Sequence, residues 1–148
     1  MNNLAFALLA AGAGCCIALQ AAANGKFRQN LGQPAWAAFL SICGTSVTAI
    51  AFLLAARPPV PPADAFRQTQ WWNWVGGPLG ALIVLAGAAL TSYLGAAVFI
   101  AAVVGGQLVC SLVLDHFALL GLPPQPVTPG RVLGAVLVVA GVVCIKYL

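Results

Sequence analysis

The chain has 148 residues, 62% of them hydrophobic and 5% charged, with a mean hydropathy of +1.02. A soluble domain carries about 25% charged residues, and six Lys and Arg with two acids cannot wet a water-facing surface. The composition therefore excludes a soluble domain and leaves an integral membrane protein whose first partner is the lipid bilayer. The net charge of +4 comes from single basic residues between apolar runs, builds no basic face and gives no reason to expect a nucleic-acid partner.

In chain order, the uncharged run 4–23 is the first predicted span. The residues before it lack the positive n-region of a signal peptide, so it reads as a membrane helix rather than a cleaved leader. Gly12, Cys16, Gln20 and Asn24 recur every four residues, and their shared face turns from small to polar towards the membrane edge. Gly25–Gln33, with Lys26 and Arg28, is expected to be a polar connector. The second span, 35–56, opens on Pro34, which loses no hydrogen bond at a helix start, and Trp36 anchors it. Ser41, Gly44, Thr45 and Thr48 give it a small, weakly polar face suited to close helix contact. Beyond Arg57, Pro58, Pro59, Pro61 and Pro62 stiffen a solvated loop that ends at Gln70.

Trp71, Trp72 and Trp74 follow. Ring faces can cage a cation, but a cluster where a span begins reads first as an interfacial anchor. The uncharged run from Trp71 to Leu114 would be about 66 Å long as one helix, roughly twice a hydrocarbon layer of ~30 Å. It must fold back, and Thr91–Gly95 is the turn. Spans 75–94 and 96–114 result, with Gly76 and Gly80 spaced for close helix approach. A second proline-rich loop, Gly121–Pro129, leads to Thr128 as N-cap and Pro129 as first helical residue. The last span is 132–148, where Lys146 can snorkel. The expected fold is an all-α membrane protein, a single domain of five transmembrane helices.

The five cysteines, Cys15, Cys16, Cys43, Cys110 and Cys144, all fall inside apolar runs. They show no metal-ligand spacing with histidine and imply no disulfide framework; they read as small packing residues.

Five spans put the termini on opposite sides. Arg57, Arg67 and Arg131 fall on one side and Lys26, Arg28 and Lys146 on the other, three against three. Orientation follows the Lys/Arg difference, and here that difference is zero. A chain without bias can insert both ways round. Two opposite copies then pack about an axis in the membrane plane, as the halves of inverted-repeat transporters do. The expected assembly is an antiparallel homodimer; a single orientation fixed by other signals is the alternative.

Several blocks carry a family resemblance. Gln20-xxx-Asn24-Gly25 ends the first span, and Trp72-xxx-Gly76-Gly77-xx-Gly80-Ala81 opens the third. The fourth holds Gly106-Gln107-Leu108 through Asp115-His116-Phe117, and Pro126-xx-Pro129-xx-Val132-x-Gly134 leads into the last. With these the whole chain resembles the YdcZ-type family of small bacterial inner-membrane proteins, within the drug/metabolite transporter superfamily. The resemblance implies five spans, a multi-pass bacterial inner-membrane protein, and assembly as a dual-topology homodimer, an opposite-orientation pair or a fused two-domain form. Ala118 departs from it, since a glycine is expected after Asp-His-Phe.

No catalytic set is visible: one His, two acids and no Glu do not assemble an acid–base pair or an activated nucleophile. Neither enzyme activity nor a cofactor or metal is expected. Transport would instead use polar groups at membrane depth, which face other helices or a water-filled path because hydrocarbon leaves them unpaired. Gln107 lies near the middle of the fourth span, and Ser111 and Asp115 follow it at four-residue intervals. Gln20, Asn24, Gln107 and Ser111 are the candidate substrate-binding residues; interhelical glue is the equal reading for Gln107. Asp115 lies at a span edge, too shallow for a proton-coupling carboxylate, and is expected to pair with Arg131. Asp115, His116, Arg131 and Trp72 are the interfacial or gating candidates. The expected function is secondary transport of a small polar or amphipathic solute; a non-transporting membrane scaffold or partner subunit is the alternative.

Overall fold

In the computed structural model, which describes residues 3–148, every regular element among the described residues is helical. Five helices are long and apolar enough to cross a membrane: α1 (Asn3–Leu31), α2 (Pro34–Ala56), α4 (Gly76–Leu94), α5 (Ala96–His116) and α6 (Pro129–Tyr147). A short helix, α3 (Ala63–Arg67), sits in the loop after α2, and 3-10 turns cover Trp71–Trp74 and Leu119–Gly121. The chain divides into two compact units, one running to Ser92 and the other from Tyr93 to Leu148.

One expectation is corrected in α1. The presumed connector after Asn24 is helical as far as Leu31, so α1 has 29 residues, about 43 Å of helix. Hydropathy falls after Ala23 where the helix leaves the hydrocarbon. Nothing there breaks the backbone, because Lys, Phe, Arg and Gln all tolerate a helix. The break comes at Gly32, in the left-handed region at φ +74°, whose N–H closes on the Arg28 carbonyl at 2.8 Å. Pro34 then opens α2 at its first turn. A single residue, Gly95 at φ +79°, separates α4 from α5. Thr128 caps α6, its hydroxyl accepting from the Arg131 N–H at 3.3 Å.

In unit 1 the buried positions are small: Ala21, Asn24 and Gly25 on α1, Ala37 and Ala38 on α2, Gly87, Ala88 and Thr91 on α4. Large apolar side chains point away, with Leu4 69%, Phe52 71% and Leu82 60% exposed. That inversion of a soluble core is what a lipid solvent favours, since tails wet leucine as well as another helix does. The tightest backbone approach lies at Gly25. A Cβ there would stand 3.2 Å from Thr91 Cβ. In unit 2, α5 packs against α6, with Gly105 and Ala135 buried between long outward side chains.

Gly25→Leu is therefore expected to destabilise the protein by about 1–3 kcal/mol through overpacking. Gly80→Ala, where an added Cβ meets nothing within 4 Å, is expected to leave stability within about 0.5 kcal/mol. Thermal unfolding of the two detergent-purified variants, read side by side with the parent, checks both.

Candidate functional site

Asn24 and Gln20 share a face of α1 but have different fates. Asn24 is buried, 6% exposed, and its amide donates to Ser41 Oγ of α2 at 3.1 Å. This is interhelical glue, worth on average about 0.6 kcal/mol inside a bilayer. One turn further on, Arg28 donates to the Ala89 carbonyl at 3.4 Å and to Ser92 Oγ, tying α1 to α4. Gln20, one turn deeper, has no hydrogen-bond partner among the described residues and is exposed.

Gln20 lines a groove of about 360 Å³ with Thr45, Ser46 and Ala49 of α2 and Gly76, Gly77 and Gly80 of α4. The groove lies within unit 1. Along α1, Gln20 stands about 16 Å from Leu31, and Thr45 is about as far from Pro34 along α2. Thr45 is thus at the middle of α2, whereas Gln20, about 5 Å inside the end of the apolar run at Ala23, lies in the outer half of a hydrocarbon layer of ~30 Å. The two hydroxyls are back-bonded: Thr45 Oγ1 donates to the Ser41 carbonyl at 3.1 Å and Ser46 Oγ to that of Ile42 at 3.0 Å.

The glycines of α4 do not do what their spacing predicted. A Cβ at Gly76, Gly77 or Gly80 would meet nothing within 4 Å. They leave room in the groove instead of seating a neighbouring helix. Close approach is made at Gly25, which the four-residue glycine spacing does not reach. Ser46 was also missed, although it follows Thr45 directly; a hydroxyl at mid-depth was the available signal.

Trp72 is half-buried, edge-on to Trp71 with ring centroids 5.8 Å apart. Asn73 Oδ1 accepts from the Gln70 N–H at 2.7 Å, and Trp74 Nε1 donates to Thr69 Oγ1 at 3.1 Å. The indoles are held in a turn at the start of the third span, as an interfacial anchor requires. In unit 2, Gln107 is exposed on α5 and has no hydrogen-bond partner among the described residues. Ser111 donates to the Leu108 carbonyl at 2.9 Å and lines a smaller groove with Leu112, Arg131 and Gly134. Among the described residues no three His, Cys, Asp or Glu side chains gather into a metal-binding group.

The foot of α5 is a clasp. Arg131 donates to Asp115 Oδ2 at 2.6 Å and to the Gln125 carbonyl at 2.9 Å, while the Gln125 N–H donates to the Asp115 carbonyl at 2.9 Å. His116 Nδ1 accepts from the Val127 N–H at 3.3 Å, and its ring packs edge-on against Phe117. The loop between α5 and α6 is thus pinned from both helices. The pair is about one-third exposed, so after solvent screening it contributes about 1 kcal/mol. Within the loop, Ala118 lies in the left-handed region at φ +49°, ψ +39°, the conformation glycine adopts without strain. Asp115→Asn is expected to destabilise unit 2 by about 1 kcal/mol and to speed chymotryptic cleavage near Phe117. Ala118→Gly is expected to stabilise it by about 1 kcal/mol and to slow the same cleavage.

Comparison with known proteins bears on the whole chain. A family model described as "Putative inner membrane exporter, YdcZ" matches residues 5–144. "Inner membrane protein YdcZ" of Escherichia coli (strain K12) is 35% identical over 78 residues, which is 53% of this chain and 52% of that protein. The match thus spans about half the length of that curated relative. No solved structure matches the chain. Five apolar helices and a family match over nearly the full length agree: the chain is a multi-pass inner-membrane protein and belongs to the YdcZ family.

Proposed function

We propose that the protein is a secondary transporter that moves a small polar or amphipathic solute across the inner membrane. Its five spans would act as one transmembrane domain, paired with an oppositely inserted copy. The observation that carries this reading is the groove of unit 1, with the amide of Gln20, which has no hydrogen-bond partner among the described residues, on its wall. Hydrocarbon cannot satisfy an amide, so such a group is retained where a solute or a water path meets it. The family's description as an exporter points the same way. A scaffold, by contrast, needs its polar groups paired, as Asn24 is with Ser41.

Within this reading the candidate solute contacts are Gln20 in the groove of unit 1 and, separately, Gln107 and Ser111 on α5 of unit 2, while Asn24 positions α1 against α2. Asp115, His116 and Arg131 hold the loop between α5 and α6, and Trp72 anchors the third span at the interface. The equal Lys/Arg counts on the two sides support an antiparallel homodimer, since insertion has no charge difference to follow. Alternating access then follows from exchanging the roles of two inverted copies about one site.

Reporter fusions at the C-terminus are expected to give both inside and outside signals in comparable amounts. Adding two lysines to the Arg57–Gln70 loop should collapse the mixture to one orientation and cut flux. A single clean orientation in the parent chain would remove the antiparallel dimer. In proteoliposomes, Gln107→Leu is expected to assemble normally and to lose flux at least tenfold; full flux would return Gln107 to the role of glue.

A further inference from the structure

The hydrogen-bonding capacity of the unit 1 groove can be counted group by group. A hydroxyl has one proton to donate and lone pairs to accept with. Thr45 and Ser46 have already given theirs to the carbonyls of Ser41 and Ile42. What they present to the groove is acceptor capacity alone. Gln20 adds an amide carbonyl and two N–H donors, none of them engaged among the described residues. Among the described residues no Asp, Glu, Lys, Arg or His lines the groove. The rest of the wall is apolar, from Ile42 and Ala49 to Ala81 and Val84, and the bare glycines Gly76, Gly77 and Gly80 leave space beside it.

We propose that this groove binds a neutral amphipathic solute that carries a hydrogen-bond donor, such as a hydroxyl or primary amide, on a compact apolar body. Organic cations and anions are rejected. An ion inside the hydrocarbon is expensive without a counter-charge, and the wall supplies none. A neutral donor is matched three times over, by Gln20 Oε1 and the two back-bonded hydroxyls. An acyl chain fills the volume but leaves the Gln20 amide unpaired. At about 360 Å³ the groove is in the size range of small-molecule sites, roughly 300–1,000 Å³. This inference rests on the transport reading of the same site.

The test uses the full-length chain in nanodiscs, with protein-free nanodiscs correcting for partition into lipid. The probes are 1-naphthol, 1-methoxynaphthalene, 1-naphthoate and trimethyl(1-naphthyl)ammonium, one ring system with a neutral donor, no donor, a negative charge and a positive charge. Saturable binding of 1-naphthol is expected, about tenfold tighter than the other three. Gln20→Leu and Thr45→Val should each weaken it several-fold, and Gly80→Leu, where an added Cβ meets nothing within 4 Å, should abolish it by filling the groove. Equal or tighter binding of the ammonium or the carboxylate overturns the proposal. So does 1-naphthol binding that survives both Gln20→Leu and Gly80→Leu. Absence of saturable binding by every probe, with Gly80→Leu dispersing a dimer, overturns it in favour of a second copy seated in the groove; absence without dispersal overturns it outright. Flux in proteoliposomes separates the two readings. Specific 1-naphthol binding without flux removes transport and leaves the site. Ammonium flux that persists in Gln20→Leu removes the neutral-donor site and leaves transport.

Discussion

Hydrocarbon supplies no hydrogen bonds and no hydrophobic push of one helix against another. The chain answers both demands with small residues at the contacts and with polar groups paired across them. In unit 1 the interfaces are alanine, glycine and threonine, while leucine, phenylalanine and isoleucine face outward. Gly25 lets α1 approach α4 to the point where a single methyl would crowd Thr91. Asn24 and Arg28, on either side of that contact, bond to Ser41 of α2 and to Ala89 and Ser92 of α4. The overlong α1 makes the arginine affordable. Its last turns run beyond the hydrocarbon, so the guanidinium ties α1 to α4 near the membrane edge and not at mid-depth.

Depth sorts the remaining polar residues. Asn24, Arg28, Asp115, His116 and Arg131 all lie near helix ends, and each has a partner. Gln107 lies about 14–16 Å from the two ends of α5 and Gln20 one turn deeper than Asn24, and neither has a hydrogen-bond partner among the described residues. An unpaired amide costs more the deeper it lies, so this is the reverse of what packing alone would select. Under the transport proposal these two amides are kept for a solute and not for stability.

Much of the architecture is legible in the sequence because lipid is a strict solvent. Long apolar runs, prolines at helix starts and Gly95 in a doubled run locate the five helices from composition and length. The Asp115–Arg131 pair is legible too, since a short proline-rich loop between two charged helix feet brings them together. The end of α1 was not. Hydropathy reports where lipid stops, whereas a helix stops where a residue such as Gly32 leaves the α region. The groove was hidden for a related reason. Glycine spacing says where a backbone can be approached and not whether anything approaches it; Gly25 is filled, Gly80 is open. The left-handed turn at Ala118 shows in the sequence only as a missing glycine.

The ion pairs raise a question about the orientation argument. Both acids, Asp64 and Asp115, fall on the side of Arg57, Arg67 and Arg131, and each sits against an arginine. By net charge that side is much the less positive, which would argue for one fixed orientation. Orientation, however, is set as segments insert, and it follows Lys and Arg while acids contribute little. Asp115 and Arg131 belong to α5 and α6, so their pair forms after both helices are in place. Asp64 and Arg67 are almost fully exposed at 3.7 Å, a contact too weak to mask either charge from the insertion machinery. On the antiparallel-dimer proposal the number that matters at insertion is still the Lys/Arg balance, and the later pairs can form in either orientation.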